Sequence, residues 1–151
     1  MEVGFATPAD LDAMAGLLGE LFALESDFTP QRDKQRAALA WLLDHPTHGR
    51  LFVLRDGAAV VGMANALINV STAEGGPVLV LEDVIVAASH RGRGHGRWLV
   101  EHVLAWAAAE GMRRVTLLAD HDNAAALRFY QTLGFEESAM VVRRFRIGTR
   151  T

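Results

Sequence analysis

The segment from His90 to Leu99, which reads HRGRGHGRWL, constrains the fold more than any other part of the chain. Its three glycines alternate with other residues, between an apolar run and a stretch with helical periodicity. Alternating glycines are unfavourable in a strand and inside a helix, so they predict a tight turn. The unpaired N–H groups at the start of the following helix would attract an anion, and Arg91, Arg93 and Arg97 add positive charge.

Length and composition narrow the class of protein. The chain has 151 residues, of which 50% are hydrophobic and 22% charged, and this predicts one globular domain over residues 1–151. The absence of cysteine excludes disulfides, thiolate zinc sites and a cysteine nucleophile. No apolar run approaches the ~20 residues of a membrane span, and the net charge of −3 argues against nucleic-acid binding. We therefore expect a cytoplasmic enzyme or binding module, with no membrane and no nucleic acid among its partners.

Hydrophobic periodicity and turn residues predict the elements that precede the glycine segment. A strand at Val3–Ala6 leads into two helices that begin at Thr7 and Thr29, because a threonine followed by proline is typical of helix starts. The Asp56-Gly57 pair predicts a hairpin between two strands. The strands ahead of the glycine segment are then Leu51–Arg55, Ala59–Val70 and Pro77–Ala87.

The elements that follow the segment complete a mixed sheet. A helix ends at Gly111, a strand spans Val115–Ala119, and a second helix at Asn123–Leu133 is capped by Asp122. Residues 136–146 supply the last strand. The order βααβββαβαβ(β) predicts an α/β fold of the α+β mixed-sheet kind, with one right-handed βαβ crossover in its second half.

Three interpretations of the glycine segment are open at this point. It is a flexible basic turn, a dinucleotide-binding turn, or a cradle for the pyrophosphate of coenzyme A. The spacing G-x-G-x-G departs from the dinucleotide pattern G-x-G-x-x-G, and residues 87–91 separate the glycines from the preceding strand. A second motif, NAAALRFYQTLGF at residues 123–135, favours the third interpretation.

The two motifs together resemble those of an enzyme family. Arg91-x-x-Gly94-x-Gly96 is similar to the acetyl-CoA signature of the GCN5-related N-acetyltransferases, the GNAT family. The second conserved helix of that family resembles the pattern formed here by Asn123, Ala126, Phe129, Tyr130, Gly134 and Phe135. The order of elements matches over nearly the full chain. The resemblance implies the GNAT fold, in which a splayed central sheet opens between the Pro77–Ala87 and Val115–Ala119 strands.

The resemblance also implies transfer of an acetyl group from acetyl-CoA to an amine. Tyr130 is then the acid that protonates the departing thiolate, or else a packed core tyrosine. The backbone N–H of Val86 polarises the carbonyl, and Asn123 either contacts the coenzyme or only caps its helix. We expect no metal, since the histidines lack the i, i+4 spacing of metal ligands. The residues expected to bind the coenzyme are Val84, Ile85, Val86, Arg91, Gly92, Arg93, Gly94, His95, Gly96, Arg97, Asn123, Ala126, Phe129 and Tyr130.

Two adjacent carboxylates, Glu82 and Asp83, interrupt the most apolar strand of the chain. Buried carboxylates are costly unless they are paired, hydrated or functional. Successive side chains of a strand point to opposite faces, so only one of the two can face the amine. Resemblance to diamine and glucosamine-phosphate acetyltransferases makes Glu82 the candidate base, with purely structural pairing as the alternative. Asp83 then caps a turn or pairs with an arginine on the other face.

The expected acceptor site lies between the link that joins the first two helices and the strand that carries these carboxylates. The resemblance implies walls formed by residues 25–28 and by the hairpin at residues 71–76, where Glu74 is a further acidic residue. The residues expected to bind the acceptor are Glu25, Asp27, Phe28, Glu82 and Asp83. They favour a small cationic amine. If the loop carboxylates are only solvated, the alternative acceptor is a protein N-terminus or a lysine.

Two further points concern function and assembly. A CoA-binding sensor without enzymatic activity is the alternative to an enzyme. Residues 139–145 read AMVVRRF, and this apolar stretch is similar to the C-terminal strands through which members of the family form homodimers. A homodimer is therefore an expectation by analogy.

Overall fold

The computed structural model describes residues 1–25 and 27–148. Five strands form one sheet in the order of the chain: β1 (Glu2–Phe5), β2 (Gly49–Asp56), β3 (Ala59–Ser71), β4 (Gly76–Val86) and β5 (Val115–Leu117). The first three pairings are antiparallel, and β5 runs parallel to β4. The helices are α1 (Leu11–Leu24), α2 (Arg32–Asp44), α3 (His95–Ala109) and α4 (Ala124–Thr132). The predicted mixed α/β class is confirmed.

Each face of the sheet carries its own hydrophobic core. Side chains alternate along β2, so Leu51 and Val53 belong to one core while Phe52 and Leu54 belong to the other. Helices α1 and α2 pack on the first face, and α3 and α4 pack on the second. Because both faces are covered, the edges and ends of the strands are the places where the backbone remains accessible to a ligand.

Strands β4 and β5 stay together over only three residues. Leu79–Leu81 pairs with Val115–Leu117, and β4 then continues to Val86 with no strand on that side among the described residues. The expected opening between the two strands is confirmed, although β5 is shorter than the predicted strand at Val115–Ala119. The gap leaves one edge of β4 available to a ligand.

Strand β4 is irregular just where it loses this partner. Its register with β3 shifts between Met63 and Asn65, opposite the stretch from Glu82 to Ile85. Asp83 has a φ of 56° and is the one non-glycine residue with a positive φ in the described ranges. This bulge breaks the strict alternation of side chains that the sequence analysis assumed.

Two helix starts differ from the sequence prediction. Helix α2 begins at Arg32 rather than Thr29. Its first turn is stabilised by the side chain of Gln35, whose oxygen accepts the backbone N–H of the residue before the helix at 2.9 Å. Helix α4 is capped by Asn123 and not by Asp122, because the Oδ1 atom of Asn123 accepts an N–H of the first turn at 3.1 Å.

The prediction of a last strand after α4 is wrong. Residues 136–146, all within the described part of the chain, form no strand. Arg144 bonds instead to Asp27, which holds this segment against the link between α1 and α2. The apolar side chains of the segment remain exposed; they are Met140, Val141, Val142 and Phe145.

An ion pair joins the start of α1 to β2. The carboxylate of Asp10, which is 5% exposed, accepts hydrogen bonds from Arg55 at 2.6 and 2.7 Å and from the backbone N–H of Thr7 at 2.7 Å. The predicted helix start at Thr7 is confirmed in the form of a short 3₁₀ turn at Pro8–Asp10, which leads into α1 and whose Asp10 accepts the N–H of Thr7. The hydrogen bonds from Arg55 hold the pKa of Asp10 below its ordinary value.

We expect Asp10→Asn to lower the free energy of unfolding by about 2–4 kcal/mol at neutral pH, because the Arg55 guanidinium loses its charged partner. Since folding lowers the pKa of Asp10, this stability is present above the ordinary pKa of aspartate and is lost as the pH falls through the folded value. Urea denaturation at several pH values measures both effects. The matched control is Asp12→Asn, which breaks an exposed pair with Arg36 and should cost much less. Equal losses in the two variants would contradict the assigned role of Asp10.

Candidate active site

The glycine segment forms the turn between β4 and α3. Gly92 and Gly94 have φ values of 76° and 81°, a left-handed conformation that favours glycine. A Cβ atom added at either position would meet no atom within 4 Å, so the backbone here borders open space. Gly94 immediately precedes α3, a helix of 15 residues. A helix start beside accessible backbone fits the pyrophosphate of a coenzyme.

Two of the three arginines of this segment make polar contacts with other residues of the chain. Arg91 donates its Nε–H to the carbonyl oxygen of Val86 at 2.7 Å, and Nε of Arg97 lies 2.9 Å from a carboxylate oxygen of Glu101. Arg93 makes no hydrogen bond or ion pair with any residue that the structure describes. We therefore expect anion binding to depend chiefly on backbone N–H groups, with Arg93 as an additional charge.

The two sequence motifs meet at the end of β4. A Cβ atom on Gly96 would lie 3.7 Å from Cζ of Phe129 on α4 and 3.8 Å from Cγ2 of Val86. Val84 and Val86 border the core shared with α3 and α4, whereas Ile85 belongs to the core on the face of α1 and α2. The expected coenzyme residues of β4, of the glycine segment and of α4 thus adjoin one another. Their contact with a coenzyme stays a prediction.

Tyr130 is partly buried among aromatic side chains of α4 and the residues after it. Its ring centroid lies 5.0 Å from that of Phe129 and 5.7 Å from that of Phe135. Burial, and then the charge of Glu25, raise the pKa of Tyr130 to about 12, so the hydroxyl stays protonated at neutral pH. This hydroxyl forms no hydrogen bond within the described ranges. Its proton is therefore available to a ligand.

Glu25, at the end of α1, is half-buried within a group of carboxylates that we name the acidic cluster. Burial and then the charges of the other members raise the pKa of Glu25 to about 7. The members come from the link after α1, from the bulge of β4 and from the segment after β5. Because Glu25 also acts on Tyr130, the cluster adjoins the candidate acid. Its negative charge favours a cationic ligand. The acidic cluster consists of Glu25, Asp27, Glu82, Asp83 and Asp120.

Asp83 is bonded to a residue that the sequence analysis did not single out. The Nδ2 atom of Asn65 on β3 donates to Oδ2 of Asp83 at 2.7 Å. Burial raises the pKa of Asp83 to about 6, while this hydrogen bond acts in the opposite direction. The expected arginine partner or turn cap is thus wrong, and the partner is an amide. The signal for Asn65 was a polar residue within the apolar run VVGMANALI.

The other predicted acceptor residues differ in their surroundings. Glu82, the candidate base, has an exposed side chain. Asp27 is bonded to Arg144, whose guanidinium carbon lies 5.2 Å from the ring centre of Phe28. The C-terminal segment, residues 136–146, therefore contacts Asp27 and Phe28, an arrangement that the sequence did not indicate.

The hairpin at residues 71–76 lies away from the acidic cluster. Glu74 pairs with Arg114 at 3.5 Å, close to the start of β5. From Gly76 to Glu82 the chain runs along β4 for about 20 Å at the usual rise of a strand. The hairpin is thus separated from Glu82 along β4, and the expectation that it walls the acceptor site stays a prediction.

Histidines near the glycine segment are engaged with neighbouring groups. Nε2 of His90 lies 3.0 Å from Oδ2 of Asp56, and Nδ1 of His90 lies 2.7 Å from Oγ of Ser89. The ring of His95, at the start of α3, lies 6.4 Å from that of His90. Over residues 1–25 and 27–148, no group of three or more His, Cys, Asp or Glu side chains converges to hold a metal. Over the same ranges, no helix combines the length and the apolar character needed to cross a membrane.

Comparison with known proteins gives a consistent result. The model of the acetyltransferase (GNAT) family matches residues 18–135. Aminoglycoside N(6')-acetyltransferase type 1 of Salmonella typhimurium is 28% identical over 145 residues, which cover 94% of this chain and 96% of that protein. N-alpha-acetyltransferase 40 of Saccharomyces cerevisiae is 44% identical over 66 residues, which cover 39% of this chain and 23% of that protein. The crystal structure of an acetyltransferase from Trypanosoma brucei is similar with a TM-score of 0.76 at 26% identity, covering 96% of this chain and 99% of that one.

The buried carboxylates predict a pH dependence of stability. The pKa values of Asp83 and Glu25 rise from 3.8 and 4.5 to about 6 and about 7 on folding. The folded chain therefore binds more protons than the unfolded chain between about pH 4 and pH 7, and the free energy of unfolding falls as the pH rises through this window. We expect Asp83→Asn to reduce that fall by on the order of 1–2 kcal/mol.

Urea denaturation at several pH values across this window measures the effect. The matched control is Asp33→Asn, which changes an exposed carboxylate in the first turn of α2 and should leave the pH dependence as in the parent chain. If Asp83→Asn and the parent chain lost stability in parallel, the carboxylate of Asp83 would not carry the pH dependence.

Proposed function

Because the chain belongs to the GNAT family of acetyltransferases, we propose that it transfers an acetyl group from acetyl-CoA to a primary amine of a small cationic molecule. The observation that carries this proposal is the acidic cluster beside Tyr130. An acceptor that arrives as an ammonium ion suits the negative charge, and a departing thiolate suits a protonated hydroxyl. The relative from Salmonella typhimurium is named for an aminoglycoside and so supports a small-molecule acceptor.

The residues around β4 fit the coenzyme of this family. Acetyl-CoA supplies the thioester that carries the acetyl group. We place its pyrophosphate on the backbone of residues 91–97, where Gly92 and Gly94 border open space. The edge of Val84–Val86 that β5 leaves unpaired would bind the extended pantetheine arm by backbone hydrogen bonds. Phe129 lies close enough to Gly96 to form the wall on the side of α4.

The proposed transfer is a direct attack by the amine. Glu82 accepts a proton from the acceptor ammonium, directly or through water, and so frees the lone pair of the nitrogen. The C–N bond then forms at the carbonyl carbon, whose oxygen the N–H of Val86 stabilises. The C–S bond breaks, the remaining surplus proton of the amine passes to solvent, and Tyr130 protonates the departing sulfur. Solvent returns a proton to Tyr130 and takes up the proton held by Glu82, so both residues are restored and each transfer from an ammonium ion releases one proton overall.

A protein N-terminus is the second candidate acceptor. The similarity to N-alpha-acetyltransferase 40 supports it over 66 residues. The contact of Arg144 with Asp27 and Phe28 favours the small molecule instead, because the C-terminal segment occupies space beside these side chains from which a peptide would otherwise approach.

We also propose that a second copy of the chain covers the C-terminal segment. Met140, Val141 and Phe145 are 87%, 72% and 68% exposed. The outer edge of β5 has no partner strand among residues 1–25 and 27–148. Exposed apolar side chains and an open strand edge are both typical of surfaces through which copies of a chain pair. Sedimentation of the pure protein at several concentrations tests this proposal.

A panel of amines tests the proposed function. Release of the coenzyme thiol from acetyl-CoA is followed with spermidine, an aminoglycoside, free lysine and a peptide with a free N-terminus. We expect turnover with the small cationic amines and little with the peptide. Turnover of the peptide alone would contradict the proposed small-molecule acceptor and would indicate a protein acetyltransferase. Binding of acetyl-CoA without turnover of any amine would favour the sensor.

Two variants test the assigned acid and base. Tyr130→Phe removes the proton donor and should lower kcat by about 10²-fold or more while leaving the KM for acetyl-CoA nearly unchanged. Glu82→Gln should lower kcat/KM at neutral pH and flatten the acidic limb of the pH–rate profile. An unchanged profile in Glu82→Gln would remove Glu82 from the mechanism.

The glycine segment generates a separate prediction about the coenzyme. Gly94→Val introduces a β-branched residue at a φ of 81° and places methyl groups in the open space beside the backbone. We expect it to raise the KM for acetyl-CoA far more than Arg93→Ala, which removes only a side-chain charge. The opposite order would mean that the arginine, and not the backbone, holds the pyrophosphate. Thermal denaturation of both variants separates loss of binding from loss of folding.

A further inference from the structure

Two irregularities meet at one point of the sheet. The backbone of Asp83 has a φ of 56°, which a non-glycine residue rarely adopts. The Oδ1 atom of Asn65 is buried and has no hydrogen-bond partner within the described residues. The 2.7 Å hydrogen bond from Asn65 to Asp83 joins the two. Backbone strain and an unsatisfied polar atom both lower the stability of the protein. Their occurrence in two residues that are bonded to each other indicates a functional role.

The chemistry of the pair determines which atom of Asn65 is left without a partner. An ionised carboxylate accepts hydrogen bonds and donates none, so the amide turns its Nδ2 atom toward Asp83. The Oδ1 atom of the same amide is then an acceptor that lacks a donor. Asn65 is only 2% exposed, so its side chain is almost completely removed from bulk solvent.

The amide group that carries the free Oδ1 atom adjoins two members of the acidic cluster. Asn65 stands opposite Glu82 in the register of β3 with β4, and it is bonded to Asp83. Both carboxylates act on Glu25. A group that binds an amide oxygen and a carboxylate at once must carry several N–H donors, and beside these carboxylates a positive charge is favoured. A primary ammonium group has both properties.

We propose that Oδ1 of Asn65 and the carboxylate of Asp83 together bind an ammonium group of the acceptor, which makes Asn65 a positioning residue for the transfer. This inference rests on the proposed function and adds a requirement to it. The charge of the acidic cluster attracts any organic cation, whereas Oδ1 of Asn65 binds only a cation that has N–H groups. Discrimination between primary and quaternary ammonium ions therefore arises at Asn65.

Nuclear magnetic resonance of the unmodified protein tests the site without any turnover. The side-chain NH₂ resonances of Asn65 are followed in ¹⁵N-labelled protein during titration with methylammonium chloride and, separately, with tetramethylammonium chloride at constant ionic strength. We expect saturable shifts with methylammonium and none with tetramethylammonium. Asn69 is the internal control, since it lies on the same strand, is exposed, and uses its Oδ1 atom to accept the N–H of Val70. Equal shifts with both cations, or shifts with neither, would overturn the proposal.

Kinetics of Asn65→Leu test the positioning role. The substitution removes both polar atoms at similar volume, so the KM for the best amine of the panel should rise about tenfold or more. The KM for acetyl-CoA should stay unchanged, and Asn69→Leu should change neither constant. An equal rise of both KM values, or a loss of kcat alone, would point to a merely structural residue and contradict the proposal.

The two experiments separate this inference from the function on which it rests. If no amine of the panel is acetylated, the proposed function fails, while the titration with methylammonium still decides whether Asn65 binds an ammonium group. If amines are acetylated and Asn65→Leu leaves their KM unchanged, the function stands and the role of Asn65 is refuted. The titration needs no variant, so it decides the question even if Asn65→Leu does not fold.

Discussion

The loss of pairing between β4 and β5 after Leu81 is the constraint on which the rest of the site depends. The edge of a strand that lacks a neighbouring strand presents N–H and C=O groups that need partners. Here the edge of β4 that β5 leaves unpaired ends at Val86, next to the glycine turn and the start of α3. One continuous run of backbone therefore offers an edge for an extended ligand and, beyond it, the positive end of a helix for the charged group of that ligand. The bulge at Asp83 lies at the point where this run begins.

The acidic cluster adds an electrostatic constraint in the same region. The five carboxylates of the acidic cluster, Glu25 among them, repel one another, and burial together with this repulsion raises the pKa of Glu25. Partial burial strengthens this repulsion, because the protein interior screens charges less than water does. A bound cation would remove much of the repulsion. This electrostatic gain favours positively charged ligands over neutral ones.

Local patterns allowed much of the fold to be predicted, and long-range contacts account for what they missed. The hairpin at Asp56-Gly57 and the turn at Gly92 and Gly94 follow from special φ values within a few residues. The site elements β4, the glycine turn and α4 were likewise placed correctly because two motifs mark them. By contrast, the positive φ of Asp83 depends on its register with β3, which no local pattern encodes. The absence of a strand after α4 accompanies a contact between residues 117 positions apart, Arg144 and Asp27.

The order of the strands has a consequence for how the protein is assembled. Strands β1 to β5 lie side by side in the order in which they are synthesised, and tight turns join β2, β3 and β4. Short loops cost little entropy to close, so these three strands can pair while the rest of the chain is still emerging from the ribosome. Glu25 and Tyr130 come from opposite ends of the chain and meet only after α4 has docked. A truncated or partly folded chain can therefore contain most of the sheet and still lack the site, so that activity reports on completion of the whole chain.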